Sequence, residues 1–468
     1  MTKFEVLIIT DIEELASSKP MYSQRTLESL CNDLRNDALS AAEIRGRALS
    51  AEANLTKLNC FIRGRDAEMH FGEANKLLKG APLYGIPVSF KDNIYVKGLP
   101  VTAGTPGMAD CIAPHDASIV SKLKSLGAVV AGKNNMHELS FGITSVNPRW
   151  GTVGNPVAPG YLAGGSSGGC AAAVAANIVP VAIGTDTGGS VRIPAAFCGI
   201  TGFRPTSGRW SSAGIIPVSR TKDSPGLLTR TARDARFLYE LLSRDGRLPT
   251  EHEGSRCRIG LPASMWTDLD DDVGKYCRHA IKRLTRAGFE CIEVNDEIAS
   301  TLNAPITFTV PLYEFFIDFP RALFSVGWEK NIKTVFDNIG DDDVHKVVHA
   351  HLSGRLICPA DYTSAMRNIG RLREQMDALF CACGIDLLAY PTVPRNVPHL
   401  SEAGRPELFA EVIRNTDLAS NAAMPSITLP VAPADALPVG LSLDAARGRD
   451  RYLLAKATHI ENIVTRHR

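Results

Sequence analysis

Two serines in this chain each follow a Gly-Gly pair, and a lysine closes an apolar run upstream of both. Ser166 lies in Gly164-Gly165-Ser166-Ser167-Gly168-Gly169, Ser190 in Gly184-Thr185-Asp186-Thr187-Gly188-Gly189-Ser190-Val191-Arg192, and Lys91 in Ser89-Phe90-Lys91-Asp92-Asn93. Glycine lets the backbone come close to a substrate and take up geometries that other residues resist. A serine hydroxyl is a poor nucleophile until something accepts its proton. Burial disfavours the charged form of a lysine and draws its pKa down from about 10.4 toward neutrality, and a neutral lysine can act as a general base. The three stretches therefore describe a serine hydrolase whose ultimate base is Lys91. Asp92 would oppose the shift if it faced the amine, so it is expected to point elsewhere. The run Thr187-Gly188-Gly189-Ser190 can aim successive backbone N–H groups at one point, which makes an oxyanion hole.

Other readings of the same residues fare worse. A phosphate-binding loop of the P-loop type ends in Gly-Lys-Ser/Thr, whereas this loop runs into Cys170. No Gly-x-Ser-x-Gly elbow with a downstream triad stands out. His345, His349 and His351 have a spacing that could hold a metal, but they lack a carboxylate partner and read as solvated or capping residues. His115 and His137 read as scaffold. Asp268, Asp270, Asp271 and Asp272 suit a helix N-terminus. Neither a metal nor a cofactor is called for.

Length and composition set the frame. The chain has 468 residues, 44% apolar and 22% charged, with Lys plus Arg at 51 against Asp plus Glu at 50. That balance gives no field that would draw in nucleic acid or an anionic membrane. The apolar run Phe4-Glu5-Val6-Leu7-Ile8-Ile9-Thr10 is too short for a signal-peptide core, and no stretch approaches the roughly 18 to 20 apolar residues of a spanning helix. Eleven scattered cysteines fit free thiols in a reducing cytoplasm, with Cys381 and Cys383 read as buried structural thiols.

Residues 24–80 read as helical, with Leu27, Leu30, Cys31 and Leu34 on one face. From about 83 to 235 strands alternate with helices: strands over Ile86 to Phe90, Ala128 to Gly132 and Ile178 to Ile183, helices over Ala117 to Leu126 and from Ala171. This alternation argues for an α/β sheet. Ser243-Arg244-Asp245-Gly246-Arg247 reads as a surface connection. A strand follows at Arg258 to Leu261, a helix at Val273 to Leu284, strands at Ile385 to Tyr390 and Ser426 to Pro430, and a helix at Arg451 to Val464. Residues 300–380 carry the weakest pattern and a cluster of aromatics from Phe308 to Trp328. With no repeat, low-complexity tract or long linker, the expectation is one domain over 1–468.

The three stretches resemble the amidase signature family. The likeness extends to Cys198-Gly199-Ile200-Thr201-Gly202-Phe203-Arg204-Pro205-Thr206, Tyr390-Pro391-Thr392 and Met424-Pro425-Ser426-Ile427-Thr428-Leu429-Pro430. It covers nearly the whole chain and is strongest over 83–235. It implies a large twisted mixed β-sheet covered by helices on both faces, with 300–380 as a variable, substrate-facing helical region. It implies a Ser–cis-Ser–Lys triad: Ser190 the acyl-forming nucleophile, Ser166 the bridging serine after a cis Gly165-Ser166 peptide, and Lys91 the base. Thr187, Gly188, Gly189 and the Ser190 N–H would form the oxyanion hole. Asp186 and Arg192 would hold the loop, and Ser167 would support the hydrogen-bond network. Cys170 stands where many members carry serine or another small residue, beyond the triad loop.

Within that family, Asn135 to Ser145 and Gly214 to Asp223 are similar to the indoleacetamide and mandelamide hydrolases. That similarity implies a small aryl-substituted amide as the partner molecule, with Ser140, Phe141, Gly142 and Trp150 as candidate substrate contacts. Neither nucleic acid nor membrane is expected as a partner, and a homodimer is left open. The alternative is the amidase subunit of a glutamine-dependent tRNA amidotransferase, although Ser207-Gly208-Arg209-Trp210-Ser211-Ser212 lacks the Tyr-Gly-Arg-Val-Ser pattern usual there. An amidase of aliphatic or fatty-amide specificity is a further alternative. A non-catalytic scaffold is disfavoured by retention of all three triad residues.

Overall fold

Strands buried on both faces decide the layering. In a computed structural model that describes residues 25–62, 74–75, 78–243, 257–328, 331–354 and 357–465, ten strands form one sheet: β1 Pro87–Lys91, β2 Val129–Asn134, β3 Val181–Asp186, β4 Thr201–Arg204, β5 Ser224–Thr229, β6 Arg258–Pro262, β7 Glu290–Val294, β8 Leu387–Pro391, β9 Ser426–Pro430 and β10 Gly440–Ala445. Their spatial order is β2-β1-β3-β5-β4-β9-β10-β8-β6-β7. The flanks β2-β1-β3 and β8-β6-β7 are parallel and the centre from β3 to β8 is antiparallel.

Successive side chains of a strand point to opposite faces. Val181 and Ile183 of β3 and Leu387 and Ala389 of β8 therefore join one apolar cluster. Ala182 of β3 joins a second cluster, and Leu388 and Tyr390 of β8 a third, on the other face. The first face is covered by the helices Leu27–Arg35, Ser118–Ser125, Ala232–Leu242, Asp271–Arg286 and Asp450–Val464. The opposite face is covered by Gly168–Ala175 and Pro359–Cys383 among others. The expected mixed sheet with helices on both faces is what the chain forms.

Several local expectations need correction. Among the described residues of 24–80, the helical reading holds for Leu27–Arg35 and Ala41–Asn54. Asp37 at φ 55° ends the first helix, and Ser40 starts the second with a reciprocal Ser40–Glu43 cap. Beyond Asn54 the chain turns through Asn59 at φ 48°; residues 63–73 lie outside the described residues, as do Phe4 to Thr10 and Arg244 to Arg247. The strand expected from Ile178 begins at Val181, after the left-handed Asn177 and Pro180. The described residues of 300–380 are mostly helical, with long helices at Ile306–Ser325 and Pro359–Cys383. Cys381 is exposed and Cys383 half-buried at the end of the latter, so they are not core thiols.

Candidate active site

Lys91 is the last residue of β1 and is fully buried. Its Nζ lies 2.7 Å from Ser166 Oγ and 2.9 Å from Thr185 Oγ1. Burial lowers the Lys91 pKa to about 7, against the smaller upward pull of Cys170, Asp223 and Asp186. An amine at that point exchanges its proton near neutrality, as a general base must. Asp92 turns the other way: it accepts hydrogen bonds from the Thr102 N–H and hydroxyl and pairs with Lys133 at 3.0 Å. Thr185, which the sequence reading passed over, accepts from both Lys91 and Asn93. Its signal was available in principle, because it sits on β3 beside the strand that carries the lysine.

Ser166 follows a cis Gly165–Ser166 peptide. Ser167 ties the two glycine-rich loops together: its N–H donates to the Ser190 carbonyl at 3.1 Å and its hydroxyl to the Thr185 carbonyl at 3.2 Å. The helix Gly168–Ala175 starts immediately after, and its first residues leave no room for side chains. A Cβ on Gly169 would sit 2.3 Å from the Asn135 carbonyl oxygen. The Cys170 thiol is buried behind the site, and burial pushes it up to about 12.

The second loop is held from beneath by a buried charge cluster. Asp186 receives Arg192 through Nε at 3.1 Å and Nη2 at 2.9 Å, and Arg204 through Nη1 at 3.1 Å. Burial alone would raise the Asp186 carboxyl, but the two guanidiniums outweigh it and hold the group well below the usual carboxylate range. Thr187 donates its hydroxyl to Asp223 at 2.6 Å. Asp223 also accepts the N–H groups of Val218 and Ser219. These contacts fix both ends of the turn that carries Gly188, Gly189 and Ser190.

That turn forms part of the wall of a cavity of about 670 Å³. Phe141, Ile143, Phe308, Leu312, Val347 and Phe409 give it an apolar lining, and Ser140 and Gly142 also face it. Phe308 and Phe409 stand ring to ring, 5.5 Å apart. Trp150 does not line the cavity, contrary to expectation. Asn147 gathers the N–H groups of Arg149 and Trp150 into a turn, and the indole ring packs against Arg149 instead. Of the aromatics between Phe308 and Trp328, only Phe308 reaches the cavity; Phe315 and Phe319 point into the core on the other side of their helix.

His137, read as scaffold, lines the cavity as well. It lies 3.1 Å from Thr144 Oγ1 and 3.5 Å from Asp341 Oδ2, and the space above Gly142 is filled by its ring. Burial lowers its pKa, with Asp341 pulling the other way. The adjacent Glu138 is fully buried and accepts the N–H groups of Gly340 and Asp341. Two consecutive residues thus anchor the start of the helix Asp342–Leu352, whose Val344 and Val347 are cavity wall. His351 of the same helix stacks on Phe316. Among the described residues no group of three or more His, Cys, Asp or Glu is arranged to hold a metal, and no helix is long and apolar enough to cross a membrane.

Comparison with known proteins points to one family. A profile of the Amidase family matches residues 48–454. An indoleacetamide hydrolase of Pantoea agglomerans pv. gypsophilae is 62% identical over 95% of this chain and 98% of that protein. A mandelamide hydrolase of Pseudomonas putida is 32% identical over 98% of this chain and 95% of its own length. The crystal structure of an amidase superposes with a TM-score of 0.80 at 30% identity, covering 94% of this chain and 100% of that one.

Proposed function

The chain belongs to the amidase family, and from that premise we propose that it hydrolyses indole-3-acetamide, or a closely similar arylacetamide, to the carboxylic acid and ammonia. The relatives named as indoleacetamide hydrolases support the substrate, and the apolar cavity wall supports an aromatic ring. The observation that carries the chemistry is the 2.7 Å contact between Lys91 and Ser166, whose neighbour Ser167 donates its N–H to the Ser190 carbonyl.

The reaction proceeds in two halves. Neutral Lys91 accepts the Ser166 proton as Ser166 accepts the proton of Ser190, whose Oγ attacks the amide carbon. The oxygen becomes an oxyanion facing the N–H groups of the turn from Thr187 to Ser190, where a missing donor costs about 2.7 to 4 kcal/mol of barrier. The tetrahedral species collapses as the relay runs back and protonates the departing nitrogen, releasing ammonia. Water, deprotonated by the same relay, then hydrolyses the Ser190 ester. Asp186, Arg192 and Ser167 hold the loops in register, and Ser140, Phe141 and Gly142 contact the ring side of the substrate. The cysteines, none of them in a disulfide among the described residues, support a reducing, cytoplasmic setting.

Ammonia release from indole-3-acetamide, phenylacetamide, mandelamide, glutamine and a short aliphatic amide tests the reading. Preference for the aryl amides, abolished in Ser190→Ala with the fold intact, is expected. Preference for glutamine, or substantial turnover by Ser190→Ala, would overturn it.

A further inference from the structure

Thr416 lies outside every stretch that the sequence singled out, yet it backs the turn from Thr187 to Ser190 that lines the cavity. It occupies the N-cap of the short helix Asp417–Asn421 without making a side-chain cap bond. Its hydroxyl instead donates to the Gly188 carbonyl at 2.6 Å, with the Ile413 carbonyl farther off at 3.1 Å. A Cβ on Gly189 would come within 2.3 Å of the same hydroxyl oxygen. The Thr416 carbonyl accepts from Arg192 Nη1 at 2.7 Å, so the residue is clamped to the Asp186–Arg192 pair.

The side on which this contact falls is what matters. Thr416 is buried and takes no part in lining the cavity, whereas Gly188, Gly189 and Ser190 do. In a trans peptide the C=O and N–H point in opposite directions, and the one cis bond among the described residues is Gly165–Ser166. A Gly188 carbonyl drawn back onto Thr416 therefore turns the Gly189 N–H toward the cavity. Between two glycines no side chain prevents the peptide from turning over. The Thr416 hydroxyl selects one of the two orientations.

We propose that Thr416 is a positioning residue for the oxyanion hole, holding the Gly188–Gly189 peptide with its N–H aimed at the developing oxyanion; the proposal rests on Ser190 being the nucleophile. The test uses Thr416→Val, which keeps the shape and loses the hydroxyl, and Thr416→Ser, which keeps the hydroxyl. Two inhibitors accompany indole-3-acetamide. Indole-3-acetaldehyde accepts the Ser190 oxygen at its carbonyl carbon, the serine proton passing to Lys91 through Ser166, and places a full oxyanion in the hole. Indole-3-acetate fills the cavity without that adduct.

For Thr416→Val, kcat falls about 10- to 100-fold, less than for outright loss of a donor, and KM stays within about threefold. Aldehyde inhibition weakens by a similar factor, acetate inhibition holds, and Thr416→Ser stays within about threefold of the unaltered enzyme. Unchanged kcat in Thr416→Val would overturn the proposal. So would parallel weakening of aldehyde and acetate, which marks a general loosening of the cavity. Failure of the underlying reading has its own signature: Ser190→Ala would still bind the aldehyde as tightly as the unaltered protein.

Discussion

Lys222 Nζ lies 2.8 Å from Asp417 Oδ1, with each side chain only 1% exposed. The pair lines the cavity beside the turn from Thr187 to Ser190, and Asp417 Oδ1 sits 2.8 Å from where a Cβ on Gly188 would be. Asn421 donates to the other carboxylate oxygen at 2.6 Å. Removing one partner of a buried ion pair leaves a charge in low dielectric without compensation. Lys222→Met is therefore expected to cost about 3–5 kcal/mol in urea unfolding, and Lys222→Met with Asp417→Leu to recover most of it. A double variant as unstable as the single one would show that the pair is not the source of the loss.

Activity should follow the Lys91 proton. Only the neutral amine accepts a proton, and burial sets its pKa at about 7. Log kcat/KM should climb with a slope of one on the acid side and level off above about 7. A profile flat from pH 5 to 8 is the outcome that counts against Lys91 as base.

The same burial makes Lys91 costly to the folded state. The unfolded chain keeps this lysine protonated up to about 10.5, the folded chain only up to about 7. Between those values the unfolded state binds more protons, so this group's contribution makes stability rise with pH across that window. Lys91→Met loses the hydrogen bonds to Ser166 and Thr185 but escapes the desolvation cost. At pH 7 it should be inactive and more stable, by on the order of 1–3 kcal/mol. Calorimetry at pH 7 and pH 10 checks this, and the advantage should shrink at the higher pH.

Glu138 sets the cavity wall rather than the chemistry. Glu138→Ala deprives the Gly340 and Asp341 N–H groups of their acceptor. The helix carrying Val344 and Val347 then loses its anchor. KM for indole-3-acetamide should rise about tenfold while kcat/KM for acetamide changes less than about threefold, in line with a loss of ring binding alone. Equal losses on both substrates would place Glu138 in the catalytic loops instead.

What the sequence revealed and what it hid divide along a physical line. Lys91, Ser166 and Ser190 were legible because glycine-rich loops and a buried amine are written in contiguous residues. β9 was legible in full, since Ser426–Pro430 is a short apolar run between breakers. β5 was not, because Ser224-Pro225-Gly226 carries turn residues into a strand held by pairing to β3 and β4. β4 is a short, buried strand held in part by β9, far off in sequence, whereas β10 went unread although its neighbour β9 is adjacent in the chain. Trp150 lies off the cavity and His137 on it, since side-chain direction there depends on Asn147 and Gly142 and not on residue type. Thr416 was invisible for the same reason: its partner is a backbone carbonyl 228 residues away.

The strand order bears on how the enzyme comes into being. β9 and β10 follow the other eight strands in chain order, yet they lie in the middle of the sheet, between β4 and β8. A growing chain can pair β2-β1-β3-β5-β4 early and β8-β6-β7 later, but the two blocks have no seam until β9 and β10 arrive. Contacts this far apart in sequence form late and slowly. A ribosome that has released everything through β5 has already delivered Lys91, Ser166 and Ser190, while Ser420 and Ser426, which Arg192 meets in the finished fold, are still to be made. Hydrolytic competence is thus expected only once β9 and β10 have joined the sheet.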